Sequence, residues 1–176
     1  MKFYSVHRAL RLTFLVRNSI IQISIILIRL QKGSAPMICS MFGHHDAPSS
    51  IAAPLEEMIA YLIEKEHVDR FLVGNQGSFD CLAWQVLQKF PQIDYRVVLA
   101  YLPSVRTPDP MYRSEKTIYP EGLEKVPPRF AISRRNRWMT DQSGIVIVYC
   151  RSSAGGTASV LEYAKKKGKT VYSLSL

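Results

Sequence analysis

The sequence predicts one α/β domain over residues 37–176, with a mainly parallel sheet covered by helices on both faces. Three observations lead to this fold class. Short apolar runs alternate with segments that carry apolar residues at three- and four-residue spacing, which is the order of strands and helices in βαβ units. The run Ile145–Tyr149 is continuously apolar, as expected of a strand buried on both faces. Glycine-rich turns join several strands to the helices that follow them.

The first half of the domain contains two strand–turn–helix units. The apolar run 38–42 ends at a glycine and predicts a buried first strand, and residues 48–66 carry apolar side chains at helical spacing. Arg70–Val73 predicts the second strand. A glycine turn follows it, and residues 78–89 predict the second helix.

The second half supplies the remaining elements. In chain order we expect a strand at 95–101, a long loop at 102–128, a helix at 129–140, the strand Ile145–Tyr149, a helix at 158–167 and a last strand at Thr170–Leu174. The sheet then has about five strands, with four helices. A proline-rich loop as long as 102–128 is usually a functional lid or disordered. We expect it to lack regular structure and to close over a bound ligand.

The formal net charge of +9 is distributed unevenly along the chain. Residues 1–36 contain six basic and no acidic side chains, so only +3 remains for the rest. That remainder suits an anionic small molecule as well as it suits DNA. No basic stripe interleaved with aromatic residues marks a polynucleotide track. We therefore expect a small-molecule partner, with nucleic acid less favoured.

Residues 1–36 do not share the pattern of the domain. Their apolar stretch is about ten residues long, well short of the ~20 needed to cross a bilayer, so no membrane span is predicted. A signal peptide is disfavoured because its cleavage site is poorly formed. Two interpretations stay open: an amphipathic basic segment that docks on a membrane or partner, and an extension upstream of a natural start at Met37. We favour the second.

Cysteine and histidine placement predicts no metal. The three cysteines, Cys39, Cys81 and Cys150, lie far apart with no CxxC pair, so we predict neither a zinc site nor a disulfide framework, and reduced thiols fit the cytoplasm. His44 and His45 are adjacent, and adjacent histidines rarely face one ion. We interpret His44 as a hydrogen-bonding group of a ligand site.

The residues that suggest chemistry follow strand ends, where open α/β sheets bind ligands. Gly155, Gly156 and Thr157 open a helix, so unpaired backbone N–H groups and the helix dipole favour phosphate there. The structural alternative is a tight turn in which Thr157 caps the helix. The turn 74–77 repeats this arrangement. It adds Asp80, which either complements the helix dipole or accepts hydrogen bonds from a ribose or an amine.

A guanidinium on the helix 129–140 would complete the site. Arg135 and Asn136 are suited to phosphate contact, whereas Arg134 and Arg137 fit an exposed basic face equally well. The predicted ligand-binding residues are Gly43, His44, Gly74, Asn75, Gln76, Gly77, Asp80, Arg135, Asn136, Ala154, Gly155, Gly156 and Thr157.

Residues 37–176 resemble the SLOG superfamily, a Rossmann-like group that contains the YpsA-like proteins, the DNA-processing protein A family and the LOG/lysine-decarboxylase-like enzymes. The motifs that carry the resemblance are FGH at 42–44, GNQGSFD at 74–80, YPEG at 119–122, AISRRNR at 131–137 and AGGT at 154–157. The sequence looks most similar to the YpsA-like branch. The resemblance implies a Rossmann-like domain with a pocket for a nucleotide or a nucleotide-derived signal, no required cofactor, and by analogy a homodimer.

Some branches of the superfamily hydrolyse the N-glycosidic bond of a nucleoside monophosphate. The hydrolytic branch is expected to carry a Glu three residues after the Thr of its glycine motif, where this chain has Val160, and Glu162 points elsewhere on a helix. We therefore favour a sensory or sequestering protein over a hydrolase with Glu121 or Asp80 as its carboxylate. A DNA-associated protein is the third hypothesis.

Overall fold

The computed structural model describes residues 35–103, 111–112 and 114–175. Residues 1–34, which make up nearly all of the predicted N-terminal extension, lie outside this description. The described chain forms a six-stranded parallel sheet with four α-helices. The predicted Rossmann-like α/β class is confirmed, with six strands instead of about five. Within the described residues, no helix is both long enough and apolar enough to span a bilayer.

Strands β1 to β6 span Ile38–Gly43, Arg70–Val73, Asp94–Val98, Thr117–Ile118, Ile145–Tyr149 and Thr170–Leu174. Their order across the sheet is β4-β3-β2-β1-β5-β6, and each neighbouring pair is parallel. The chain builds outward from β1 in one direction and then crosses to β5 on its other side. The carboxyl ends of β1 and β5 therefore border the switch point, where a crevice forms in such sheets.

Helices α1 to α4 span Ala52–Glu64, Ser78–Leu87, Pro128–Gln142 and Gly156–Lys166. A short 3₁₀ turn at Ser49–Ile51 precedes α1, within the residues predicted as helix. Pro128 occupies the first turn of α3, where its missing N–H costs no intrahelical hydrogen bond. Side chains from α1 and α2 pack on one face of the sheet, and those from α3 and α4 pack on the other.

Strand β5 is continuously apolar because it is buried on both faces of the sheet. Ile145, Ile147 and Tyr149 belong to the core beneath α1 and α2, whereas Val146 and Val148 belong to the core beneath α3 and α4. Successive strand residues point to opposite faces, so a strand covered on both faces has no polar position to alternate with.

The loop 102–128 is more structured than we predicted. Its described part contains β4, which pairs with the end of β3, and short 3₁₀ turns at Ser114–Lys116 and Leu123–Lys125. The predicted strand 95–101 ends at Val98, although the N–H of Leu99 still donates to the Ile118 carbonyl at 2.9 Å. A two-residue edge strand shows no alternation of apolar and polar residues, so sequence periodicity cannot detect it. Residues 104–110 lie outside the described residues, and closure of this loop stays a prediction.

A charged cluster ties the starts of β2 and β3 together. Asp94 accepts a hydrogen bond from Arg70 Nε at 2.6 Å and from Lys116 Nζ at 3.2 Å, and Arg96 Nη2 lies 3.4 Å away. Desolvation alone would raise the pKa of Asp94, but the hydrogen bonds from Arg70 and Lys116 outweigh it, so the pKa is lowered.

Candidate functional site

A cavity of about 530 Å³ opens at the carboxyl edge of the sheet, at the switch point. All the predicted ligand-binding residues line it except Asn75, which lies half-buried in the turn after β2. The lining is completed by four residues that were not predicted to bind ligand: Met41, Phe42, His45 and Ile132. Ile132 was detectable, because it precedes Arg135 and Asn136 by three and four residues and so shares their face of α3.

The turn between β5 and α4 forms one wall of the cavity. Gly155 is the N-cap of α4 and has a φ of +100°, which strains any other residue. Gly156 is different, because its φ lies outside the left-handed region and a Cβ placed on it would meet no heavy atom within 4 Å. The fold itself therefore does not require glycine at position 156.

The alternative in which Thr157 caps α4 is wrong. Thr157 lies inside the helix and is buried, and the cap residue Gly155 offers no side chain. The first N–H groups of an α-helix have no partner within the helix. Gly155, Gly156 and Thr157, at the start of α4, line the cavity beside the positive end of the helix dipole. This wall of the cavity can bind an anion.

Packing explains the glycine at the end of β1 and the glycine after β2. A Cβ on Gly43 would lie 2.1 Å from the Phe79 ring. One on Gly74 would lie 1.9 Å from Arg135 Nη1 and 2.2 Å from Asp80 Oδ2. Gly74 thus lets the Arg135 and Asp80 side chains pass directly over the backbone.

Arg135 and Asp80 form a buried ion pair beneath the cavity. Arg135 is 2% exposed and Asp80 is 7% exposed. Arg135 Nη1 lies 3.8 Å from Asp80 Oδ2 and donates to the Val98 carbonyl at 3.0 Å, and the same carboxylate oxygen accepts the Gln76 N–H at 2.8 Å. The Nε of Arg135 is buried and has no hydrogen-bond partner among the described residues. The guanidinium therefore retains a donor that the protein leaves unused.

Burial shifts the pKa of both partners toward the neutral form. Desolvation raises the pKa of Asp80, against the opposing effects of Arg135 and the Gln76 N–H. Desolvation also lowers the pKa of Arg135, against the opposing effect of Asp80. An anion that enters the cavity would offset the cost of burying the guanidinium, whereas a ligand hydroxyl would suit the carboxylate.

His44, directly after β1, lines the cavity. Its Nε2 accepts the Arg151 N–H at 2.8 Å, and its ring contacts the Tyr149 ring edge-on at 6.2 Å between centroids. Asp46 pairs with Arg151 at 2.7 Å at the surface. Across the described residues, no three His, Cys, Asp or Glu side chains cluster as metal ligands would.

The carboxylates proposed for catalysis are not brought together. Asp80 lines the cavity, but Glu121 is exposed in the turn before Gly122 and does not contribute to the lining. Val160, at the position where the hydrolytic branch has Glu, is buried with Met139 beneath α4. All three cysteines are free thiols, and burial in β1 strongly raises the pKa of Cys39.

No protein-family model matches the sequence, and none of the curated proteins matches it significantly. Solved structures share its fold, among them two DNA processing proteins. DNA processing protein A from Streptococcus pneumoniae aligns with a TM-score of 0.54 and 18% identity, covering 80% of this chain and 50% of that one. DNA processing protein A from Helicobacter pylori aligns with a TM-score of 0.57 and 14% identity, covering 80% of this chain and 66% of that one. This chain therefore corresponds to only part of each protein, and at these identities the likeness shows the Rossmann-like fold.

Proposed function

We propose that residues 37–176 bind a nucleotide or nucleotide-derived molecule in the cavity, as a sensory or sequestering protein. The observation that carries this proposal is the open space beside Gly156. The backbone conformation of Gly156 permits any residue, and nothing in the fold occupies the space that a side chain would fill. A ligand phosphate on the N–H groups at the start of α4 needs that space, which explains the glycine.

The other walls supply complementary chemistry. Arg135 lines the cavity as a buried cation, which suits a phosphate oxygen. Asp80, in the first turn of α2, and Gln76, in the turn before it, suit the hydroxyl groups of a ribose or the edge of a base. The cavity thus offers a cation to a phosphate and a carboxylate to a sugar-like moiety of the same ligand. The proposal requires no cofactor. The resemblance to the YpsA-like branch supports this assignment.

Single-stranded DNA is the second candidate ligand, and the structural comparison favours it. The solved Helicobacter pylori protein of the same fold binds single-stranded DNA. A DNA strand would cross the same anion-binding wall, with its backbone on the start of α4. Polynucleotide binding falls steeply with salt concentration because it releases counterions, whereas binding of one phosphate group falls little.

A thermal-shift screen of the full chain tests the proposal. The ligands are AMP, ADP-ribose, cyclic nucleotides and an oligothymidylate, each at low and high salt, with every mixture then analysed by mass spectrometry. A small ligand at about a hundredfold excess over its Kd should stabilise the protein by roughly 2.7 kcal/mol, or several degrees. We expect the small ligand to be recovered intact. Release of a free base would make the protein a hydrolase, and a shift by oligothymidylate alone, lost at high salt, would favour DNA.

A further inference from the structure

A groove between α3 and α4 continues from the cavity, and we infer that it holds the second nucleotide of a dinucleotide ligand. This inference rests on the proposed function, because the first nucleotide would occupy the cavity. The groove has a volume of about 310 Å³. It shares Ile132, Asn136 and Gly156 with the cavity, so the two spaces meet at the start of α4. A ligand whose phosphate lies on Gly156 can therefore extend into the groove.

Tyr163 provides an aromatic surface in the groove. Its hydroxyl donates to Asp141 Oδ1 at 2.9 Å, which fixes the ring between α4 and the end of α3. The Arg137 guanidinium lies 5.7 Å from the ring centroid and the Lys167 Nζ lies 5.4 Å from it. The ring holds the two cations beside the groove, where they favour the phosphate of a second nucleotide.

The charge of the groove is available to a ligand. Arg129 and Arg137 both line it, and neither forms an ion pair with any carboxylate among the described residues. Both lie on the face of α3 that also carries Asn136, so they follow the path that leads out of the cavity. An anionic linker between two nucleosides would meet two unpaired cations here.

Asp141 lies beyond one end of the groove. Its carboxylate binds the Tyr163 hydroxyl and lies 3.7 Å from Lys167 Nζ, just beyond the groove residue Thr140. Lys167 and Lys169 both lie beside Asp141, so its carboxylate does not make this end of the groove negative overall. The groove is smaller than the cavity, and this size is the reason for assigning one further nucleotide to it.

Isothermal titration of the full chain tests the inference with two probes, AMP and the 5′-phosphorylated dinucleotide pApA, in the same buffer. A hydrogen-bonded charge pair contributes about a factor of ten in affinity, so pApA should bind about tenfold more tightly than AMP. Arg137→Ala should remove that gain and leave AMP binding unchanged. Arg134→Ala is the matched control, because Arg134 is exposed on the same helix and lines neither space.

Each other outcome has a distinct meaning. Equal affinities for AMP and pApA would overturn the groove assignment and leave the proposed function intact. An equal loss in the Arg134→Ala and Arg137→Ala variants would also overturn it, because general electrostatic attraction would then explain the gain. Affinity that keeps rising with tetranucleotides and hexanucleotides would overturn the assignment as well, because the ligand would then be a polynucleotide and not a dinucleotide. If neither AMP nor pApA binds, the proposed function itself fails.

Discussion

Replacing Gly156 by alanine should separate ligand binding from folding. Residue 156 is the first of α4, its φ lies outside the left-handed region, and a Cβ there meets no heavy atom within 4 Å. Alanine loses less backbone entropy than glycine on folding. We therefore expect the free energy of unfolding of Gly156→Ala to stay the same or to rise by up to about 1 kcal/mol. In a chain of 176 residues, that is at most about 4 °C in Tm.

Ligand affinity should move in the opposite direction. The new methyl group would occupy the open space beside the first N–H groups of α4, where the phosphate is proposed to lie. A phosphate displaced from those groups loses at least one hydrogen bond to a charged acceptor, which contributes about 1.5–3 kcal/mol. The Kd for AMP should therefore rise about tenfold to a hundredfold.

Urea unfolding and isothermal titration with AMP, applied to the wild type and to Gly156→Ala, measure the two effects separately. We predict weaker AMP binding without a lower urea midpoint. If the variant bound AMP as well as the wild type, the space at Gly156 would not be the phosphate site. If the urea midpoint fell, residue 156 would be glycine for structural reasons, and the observation that carries the proposal would be lost.

Three further predictions concern the side chains and turns around the cavity and the charged cluster. Gly74→Ala should cost about 1–3 kcal/mol in unfolding free energy and weaken AMP binding as well, because its Cβ would lie 1.9 Å from Arg135 Nη1; retained stability in urea would refute this. Arg135→Met should cost about 3–5 kcal/mol at pH 7, because Asp80 stays buried without its partner. Burial raises the pKa of Asp80, so this cost should shrink as the pH falls through that pKa. Adding Asp80→Asn to the Arg135→Met variant should restore most of the stability. The absence of any recovery in urea melts would contradict the pairing. Hydrogen bonds from cations outweigh desolvation and lower the pKa of Asp94 in the folded chain. Ionised Asp94 therefore stabilises the fold above its unfolded pKa of about 3.9, and this stabilisation is lost as the pH falls. Asp94→Asn should therefore cost about 1 kcal/mol at pH 7 and nothing near pH 2, and an equal cost at both would argue against an ionic origin.

The sheet could be predicted from the sequence because burial on both faces leaves its strands no polar positions. Ile145–Tyr149 illustrates this, since alternate residues enter opposite cores. Strand β4 could not be predicted. Its two residues, Thr117–Ile118, are half-buried at the edge of the sheet, and their position depends on pairing with β3, twenty residues earlier in the chain.

The site could be located for a different reason. The carboxyl ends of parallel strands meet at one edge, so turns after β1, β2 and β5 had to converge there. The sequence could not show which glycines the fold needs. Gly43 and Gly74 are required by Phe79 and by the Arg135–Asp80 pair, which come from other elements, whereas the space at Gly156 is empty.

Pairing between Arg135 and Asp80 also escaped prediction. Their separate roles, a phosphate contact and a sugar contact, were inferred from residue type, but they lie on α3 and α2 and meet only in the folded chain. Glu121 was a candidate catalytic carboxylate that the structure leaves outside the cavity. It belongs to a motif that carries the resemblance, yet its turn leaves it exposed and outside the cavity lining.

The most direct test of the central claim is a titration of the ¹⁵N-labelled full chain with AMP, followed by amide chemical shifts. We predict that the largest changes occur at Gly155, Gly156 and Thr157, which line the cavity at the start of α4, with further changes in the turn 74–77. Saturable shifts confined to other parts of the chain, with these amides unmoved, would contradict a nucleotide site at the switch point.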